Sequence, residues 1–138
     1  MNEVIRTERG WAWHFICADR CWFRRNTLLE CGEERIIVST VGEMADTFGK
    51  NFPNFVEICG NRYHETRAFH AQRVDDRYWD ADIQRPVNFE SPWAISELNA
   101  NDKANDMHEA VVDEIIIMLR AYDGHKILNK ENKDDNGK

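Results

Sequence analysis

The six residues Cys21–Asn26 (CWFRRN) gather the most chemically versatile side chains of the chain. In an extended segment successive side chains alternate, so Trp22, Arg24 and Asn26 share one face while Phe23 and Arg25 share the other. A tryptophan, an arginine and an asparagine side by side can stack a base, clamp a phosphate and read a base edge. The same residues also fit a core tryptophan flanked by edge-strand ion pairs, and both readings stand open at this point. Trp93, following Ser91-Pro92, offers a second stacking platform. Arginine usage points the same way: up to Gly124 there are twelve arginines but only Lys50 and Lys103. Arginine is the fork-shaped donor suited to phosphate and carboxylate.

Other constellations are less specific. Glu65, Asp80 and Asp82, with Arg67 and Arg73, are expected on one face of a hairpin. Paired carboxylates there could do acid–base work, or simply form a solvated face of cross-strand pairs. His14 and His108 fall on apolar faces, where a histidine is more often a hydrogen-bonded core residue than a base. His64 and His70 are expected on the face of Trp79 and Ile83. Cys17 and Cys21 form one loose C-x3-C pair, with Cys31 and Cys59 far downstream. Structural zinc sites favour two tight pairs, so no metal site and no cofactor are expected. No nucleophile elbow surrounds any cysteine.

The elements that must position these groups follow from periodicity. Trp11–Ala18 alternates as a central strand, and Cys21–Cys31 and Arg35–Val41 complete a three-stranded meander after a loose lead-in over residues 1–10. Gly42–Asn54 has no period and is expected to be a loop, and Phe55–Cys59 a short strand. Tyr63–Val74 and Arg77–Arg85 form a hairpin around a two-residue Asp75-Asp76 turn, placing Phe69 opposite Asp82 and Ala71 opposite Asp80. Pro86 ends the ladder or marks an edge. Ser91-Pro92 signals a helical turn over Pro92–Leu98. Asp102–Tyr122 carries apolar residues at Ala104, His108, Val111, Ile115 and Met118, which makes a long amphipathic helix capped by Asp102 or Asn105 and stopped at Gly124. The fold class expected is α+β: an antiparallel sheet of about six strands with one long C-terminal helix packed on it. Residues 1–124 read as one domain and 125–138 as a polar, disordered tail.

Composition bounds the function. The chain has 138 residues and a net charge of −7, with no apolar run long enough to span a membrane and no signal core. A cytoplasmic protein with reduced cysteines is expected, and non-specific binding to duplex nucleic acid, which needs a basic footprint, is not.

The segments HFICADRCWFRRNTLL, RIIVSTVG, RYHETRAFHAQ, RYWDADI, ESPWAISE and KANDMHEAVVDEI together resemble a family of small phage- and prophage-encoded proteins, the first-described Thoeris anti-defence proteins, which are cyclic ADP-ribose-isomer sponges. The resemblance covers about Arg6 to Arg120. It implies a homo-oligomer in the host cytoplasm that binds a host nucleotide signal without chemistry. Its arginine, asparagine and aromatic contacts would fall on Arg24 or Arg25, Asn105 and Trp93.

The expected ligand-binding set is therefore Trp22, Arg24, Arg25, Asn26, Trp93, Asn105 and His108, with no catalytic residue. The rival readings are a protein-binding inhibitor of a host nuclease, motivated by the acidic charge, and a carboxylate-dependent nucleotide hydrolase. Ile117 stands on the polar side of the helix between Asp113 and Arg120. A helix contact between copies involving Ile116, Ile117 and Arg120 is therefore expected, with the ligand pocket close to it.

Overall fold

Residues 3–14, 18–46, 55–58, 60–87 and 93–121 are described by the structure, a computed structural model. Among them the chain forms an antiparallel sheet of seven strands and one long helix, an α+β architecture. The strands are β1 (Ile5–Arg9), β2 (Cys21–Cys31), β3 (Glu34–Ala45), β4 (Phe55–Val56), β5 (His64–Val74), β6 (Tyr78–Pro86) and β7 (Trp93–Ile95), and the helix is α1 (Asn101–Arg120). The main path runs β1-β2-β3-β5-β6, with β4 added to β3 and β7 to β5.

The three long central strands, β2, β3 and β5, are explained by their side chains. Leu29, Ile36, Val38 and Ala68 point to one face and meet Val111, Val112, Ile115 and Leu119 of α1, the main core. Leu28, Ile37 and Phe69 point to the other face and pack with Ala71, Ala81 and Trp79. A run such as Ile36-Ile37-Val38 is what a strand covered on both faces requires. At 1.5 Å per residue the 20-residue helix is about 30 Å long, enough to cross these strands.

Several expectations are corrected. Trp11–His14 is not a strand; it lies across the second face of the sheet, and a 3-10 turn follows at Ala18–Arg20 (residues 15–17 lie outside the described ones). The first strand is instead Ile5–Arg9, in the expected lead-in, paired along its whole length with Asn26–Glu30. Its mostly exposed residues suit an edge strand, where charged side chains discourage further pairing. β3 continues through Gly42 to Ala45 into the expected loop. β4 is shorter than expected, and Cys59 lies outside the described residues.

The hairpin between β5 and β6 turns through three residues, Asp75, Asp76 and Arg77, with the Arg77 amide donating to the Val74 carbonyl at 2.9 Å. Asp75 and Asp76 both take left-handed φ, 53° and 56°. The extra residue slips the register by one, so Asp80 faces Gln72, Ala71 faces Ala81, and Phe69 pairs with Pro86 beyond an irregularity. A one-residue slip exchanges the faces of every side chain on a strand. Hence Trp79 joins the second core while His64 lies under the helix, against the expectation that they share a face.

Trp93–Ile95 is a strand rather than a helical turn, and Ser91 and Pro92 lie outside the described residues. The helix starts one residue early, at Asn101, with Ala100 at the cap position and no side-chain capping bond. Neither Asp102 nor Asn105 caps it; Asn105 Oδ1 accepts a bond from Arg25 instead. The stop at Gly124 and the tail at 125–138 lie outside the described residues. No described helix is long and apolar enough to cross a membrane.

Candidate functional site

The sheet divides the expected ligand-binding residues between its faces. Arg25, Asn105 and His108 come together on the helix side. Arg25 binds Glu8 (2.7 and 3.0 Å), Asn105 Oδ1 (2.9 Å) and Glu109 (2.8 Å), and Arg6 clamps the same Glu109 with two bonds of 3.0 and 2.6 Å. The Arg6 and Arg25 guanidinium groups pull the Glu109 carboxyl down to about 2. This network ties β1, β2 and α1 to one another.

His108 sits beneath it, fully buried, with Nε2 2.7 Å from the Thr27 hydroxyl and Nδ1 2.6 Å from the Thr40 hydroxyl. Burial, reinforced by the nearby Arg25 charge, lowers its pKa to about 4. With both ring nitrogens engaged and no exposure, His108 acts as a satisfied core histidine in this arrangement. Trp93 is half-buried in β7 and packs against the main core from the helix side.

The other face carries Trp22, Arg24 and Asn26, as their alternation requires. Trp22 stands half-exposed with its ring edge-on to Phe55 at 5.1 Å, near the short β4. Arg24 is exposed beside it. Asn26 is buried, and its Oδ1 accepts two bonds from Arg9, 3.0 and 2.9 Å long, while its Nδ2 has no partner. Through its bonds with Arg9, Asn26 is connected to a second feature on this face.

That feature is built by the segment following β1. Trp11 and Trp13, two residues apart, both donate their indole N–H to Oδ2 of Asp80, at 3.0 and 2.8 Å. Asp80 is itself buried; its Oδ1 accepts the Ala81 amide at 2.8 Å, and Arg9 lies 3.8 Å away. The Arg9 guanidinium rests over the Trp11 ring, 4.6 Å from its centroid, and also donates to the Trp79 carbonyl. Desolvation lowers the Arg9 pKa, opposed by the Asp80 charge. Tyr78 meets Trp11 edge-on at 6.1 Å. Between them opens a cleft of about 300 Å³, lined among the described residues by Trp11 and Tyr78. Trp11 and Trp13 are each 41% exposed and Tyr78 37%, so the rings offer surface to a ligand while their orientations are fixed from below.

None of Arg9, Trp11, Trp13, Tyr78 or Asp80 was singled out from sequence as ligand-binding. The W-A-W spacing, and an aspartate lodged between Trp79 and Ala81, were the available signals. Both were absorbed into strand patterns instead.

The carboxylates of the expected hairpin face each have partners. Glu65 pairs with His14 (3.1 Å) and Arg62 (2.8 Å), Asp82 with Arg85 (2.8 Å), and Asp80 with the two indoles. Among the described residues no group of three histidine, cysteine or acidic side chains is close enough to hold a metal ion. One chain of groups does look catalytic: the Ser39 hydroxyl lies 2.8 Å from His14 Nδ1, and His14 Nε2 lies 3.1 Å from Glu65. Burial pushes the Glu65 pKa up, but His14, Arg67 and Arg62 outweigh it and hold the carboxyl low. A nucleophilic serine needs reach to substrate and free backbone donors for an oxyanion. Ser39 is 1% exposed and sits mid-strand between Asn26 of β2 and Arg67 of β5, where the ladders engage the backbone. The trio therefore pins the segment bearing Trp11 and Trp13 to the sheet, and His14 also packs 5.7 Å from the Phe69 ring.

In comparisons with protein-family models, curated proteins and solved structures, none matches this chain.

Proposed function

We propose that this protein binds a small nucleotide-type ligand, a cyclic signalling nucleotide such as a cyclic ADP-ribose isomer, and holds it without turnover as an anti-defence sponge in the host cytoplasm. One observation carries the reading: two half-exposed tryptophans have their N–H groups locked onto one buried carboxylate, beside an arginine-backed cleft. Sequestration requires tight binding and no activated nucleophile. Stacking rings whose orientation is set before the ligand arrives lose little entropy on binding. The ligand site proposed is thus the Trp11–Tyr78 cleft rather than the Trp22–Arg24 end of β2, with Arg9 over the Trp11 ring and Asn26 bonded to Arg9. A homo-oligomer formed through α1 belongs to the same proposal, with Ile117 as its contact.

The test is titration with cyclic ADP-ribose isomers followed by tryptophan fluorescence, then heating and chromatography of the released ligand. Saturable quenching that Trp11→Ala abolishes, with the ligand recovered intact, supports the proposal. Recovery of a cleaved product would instead overturn the sponge reading in favour of an enzyme. No binding of any nucleotide at millimolar concentration would end the reading.

A further inference from the structure

Aromatic rings around a cleft with a carboxylate nearby suit two opposite ligands. Such a site can cage a cation, or it can stack an electron-rich ring bearing a phosphate. Resting on the reading of this cleft as the ligand site, we infer that it selects a negatively charged, electron-rich aromatic ligand of the purine mononucleotide class and rejects cationic ones, with Arg77 as a residue that sets this preference.

The position of the protein's own cations decides the matter. The Arg9 guanidinium lies over the Trp11 ring at 4.6 Å, and that of Arg77 over the Tyr78 ring at 5.9 Å. Each lining ring therefore already carries an arginine of the protein over it. A ligand cation entering the cleft would be brought next to a like charge.

The carboxylate gives no help to a cation either. Asp80 Oδ2 accepts both indole N–H groups, Oδ1 accepts the Ala81 amide, Arg9 stands at 3.8 Å, and the side chain is 6% exposed. An ammonium group in the cleft would find that carboxylate buried, hydrogen-bonded to three N–H groups and already facing Arg9.

A phosphate, by contrast, finds a donor. The Arg77 side chain is 72% exposed, and among the described residues its ion-pair partner is Asp75, at a long 3.4 Å and itself 70% exposed, beside its loose 5.9 Å contact with the Tyr78 ring. An ion pair that exposed contributes little, so the guanidinium can turn to a ligand at small cost. The cleft's volume of about 300 Å³ is at the lower end for ligand pockets, suited to one base and its sugar rather than a long strand.

The experiment compares GMP with 7-methyl-GMP, which have nearly the same shape but differ by a positive charge on the ring, and adds choline as a competitor. Binding is read by tryptophan quenching in the parent, Arg77→Gln and Trp11→Phe proteins at low salt. GMP is expected to bind at least about fivefold more tightly than 7-methyl-GMP, with no competition from choline. Arg77→Gln should weaken GMP by about two- to fivefold, the size expected of one exposed charge, and narrow the difference between the two ligands. Tighter binding of 7-methyl-GMP, or displacement by choline, would overturn the inference while leaving the cleft as a ligand site. Quenching that is unchanged in Trp11→Phe would instead remove the cleft reading itself, and the inference with it.

Discussion

Arg9 and Trp79 stand on the two terminal strands of the sheet's main path, and a guanidinium N–H of Arg9 donates to the Trp79 carbonyl. For one side chain to bridge β1 and β6, the five-strand path between them must curl around the face that carries Leu28, Ile37 and Phe69. The segment Trp11–His14 then lies across this curl, attached to β6 through Asp80 and to β3 and β5 through His14. Curvature, rather than any one strand, is what brings the tryptophans to the arginines.

Asp80 should therefore matter to both stability and ligand binding. Asp80→Ala leaves two indole N–H groups and a buried amide without their acceptor, and should cost about 2–4 kcal/mol in urea unfolding. The tryptophan emission should shift to the red as the rings loosen. Asp80→Asn should cost less, since one carboxamide oxygen can still accept both indoles. Equal costs for the two variants would show that the bonds to Trp11 and Trp13 are not what Asp80 supplies.

Gly42 has a separate steric role. A Cβ placed on it would stand 2.2 Å from His64 Cδ2, 2.5 Å from its Cγ and 2.7 Å from the Tyr63 carbonyl oxygen. His64 cannot retreat easily, because it is fully buried, holds Asn101 at 2.8 Å and packs edge-on to Phe23 at 5.3 Å. Gly42→Ala should destabilise the protein by about 1–3 kcal/mol, the usual range for forcing atoms into a packed core. Gly10→Ala, where a Cβ meets nothing within 4 Å, should be close to neutral. Thermal melts of the two variants side by side check this.

His108 makes stability depend on pH. Its folded pKa is lowered to about 4, against about 6.5 for a free histidine. Between these values the unfolded chain takes up a proton that the folded chain refuses, so stability falls as pH drops from about 6.5 to about 4. Going from pH 7.5 to pH 5 this single group should remove about 2 kcal/mol. In urea titrations at the two pH values, His108→Gln should lose about that much less than the parent. A parent and variant with parallel losses would place the acid sensitivity elsewhere.

The legible parts of the fold were those where local pattern and tertiary packing agree. Val111, Val112, Ile115 and Leu119 repeat at helical spacing, and all four are buried against Leu29, Ile36 and Val38 as that spacing requires. β2 has the bounds its sequence suggests, Cys21 to Cys31, closed by Gly32 in the left-handed region at φ 60°. Elsewhere long-range contacts override the pattern. Trp11 and Trp13 alternate with buried Ala12 like a strand, yet their spacing serves one distant acceptor, Asp80. Ile5–Arg9 looks like a solvated lead-in because, among the described residues, its ladder partner is β2 alone, and its exposed Arg6 and Glu8 bond to residues distant in sequence, Glu109 and Arg25. The hairpin register depended on whether Arg77 belonged to the turn, a question that Asp75 and Asp76 answer only once both adopt positive φ. Four residues of the expected ligand set, Trp22, Arg24, Arg25 and Asn26, lie along β2, and a strand distributes them over two faces. Arg25 thereby meets the helix at Asn105, while Asn26 on the other face holds Arg9.

Assembly is tested by Ile117. The core side of α1 is defined by Ala104, His108, Val111, Val112, Ile115 and Leu119, and Ile117 projects from the opposite side with 68% of its surface exposed. Ile116 and Met118, by contrast, are partly buried against the main core. The apolar strip expected on the outer side of the helix thus narrows, among the described residues, to Ile117 with Asp113 and Arg120 around it. A second copy of α1 laid against this point would remove the isoleucine from water and pair the flanking charges across a two-fold axis. Ile117→Glu should then convert an assembly to monomers in analytical ultracentrifugation without lowering the unfolding midpoint, because the side chain makes no core contact. Nucleotide binding should be unchanged, since the Trp11–His14 segment lies on the sheet face away from the helix. This reverses the expectation that the pocket lies at the helix contact. A parent protein that sediments as a monomer at micromolar concentration would end the proposed helix contact, leaving Ile117 as a solitary exposed residue.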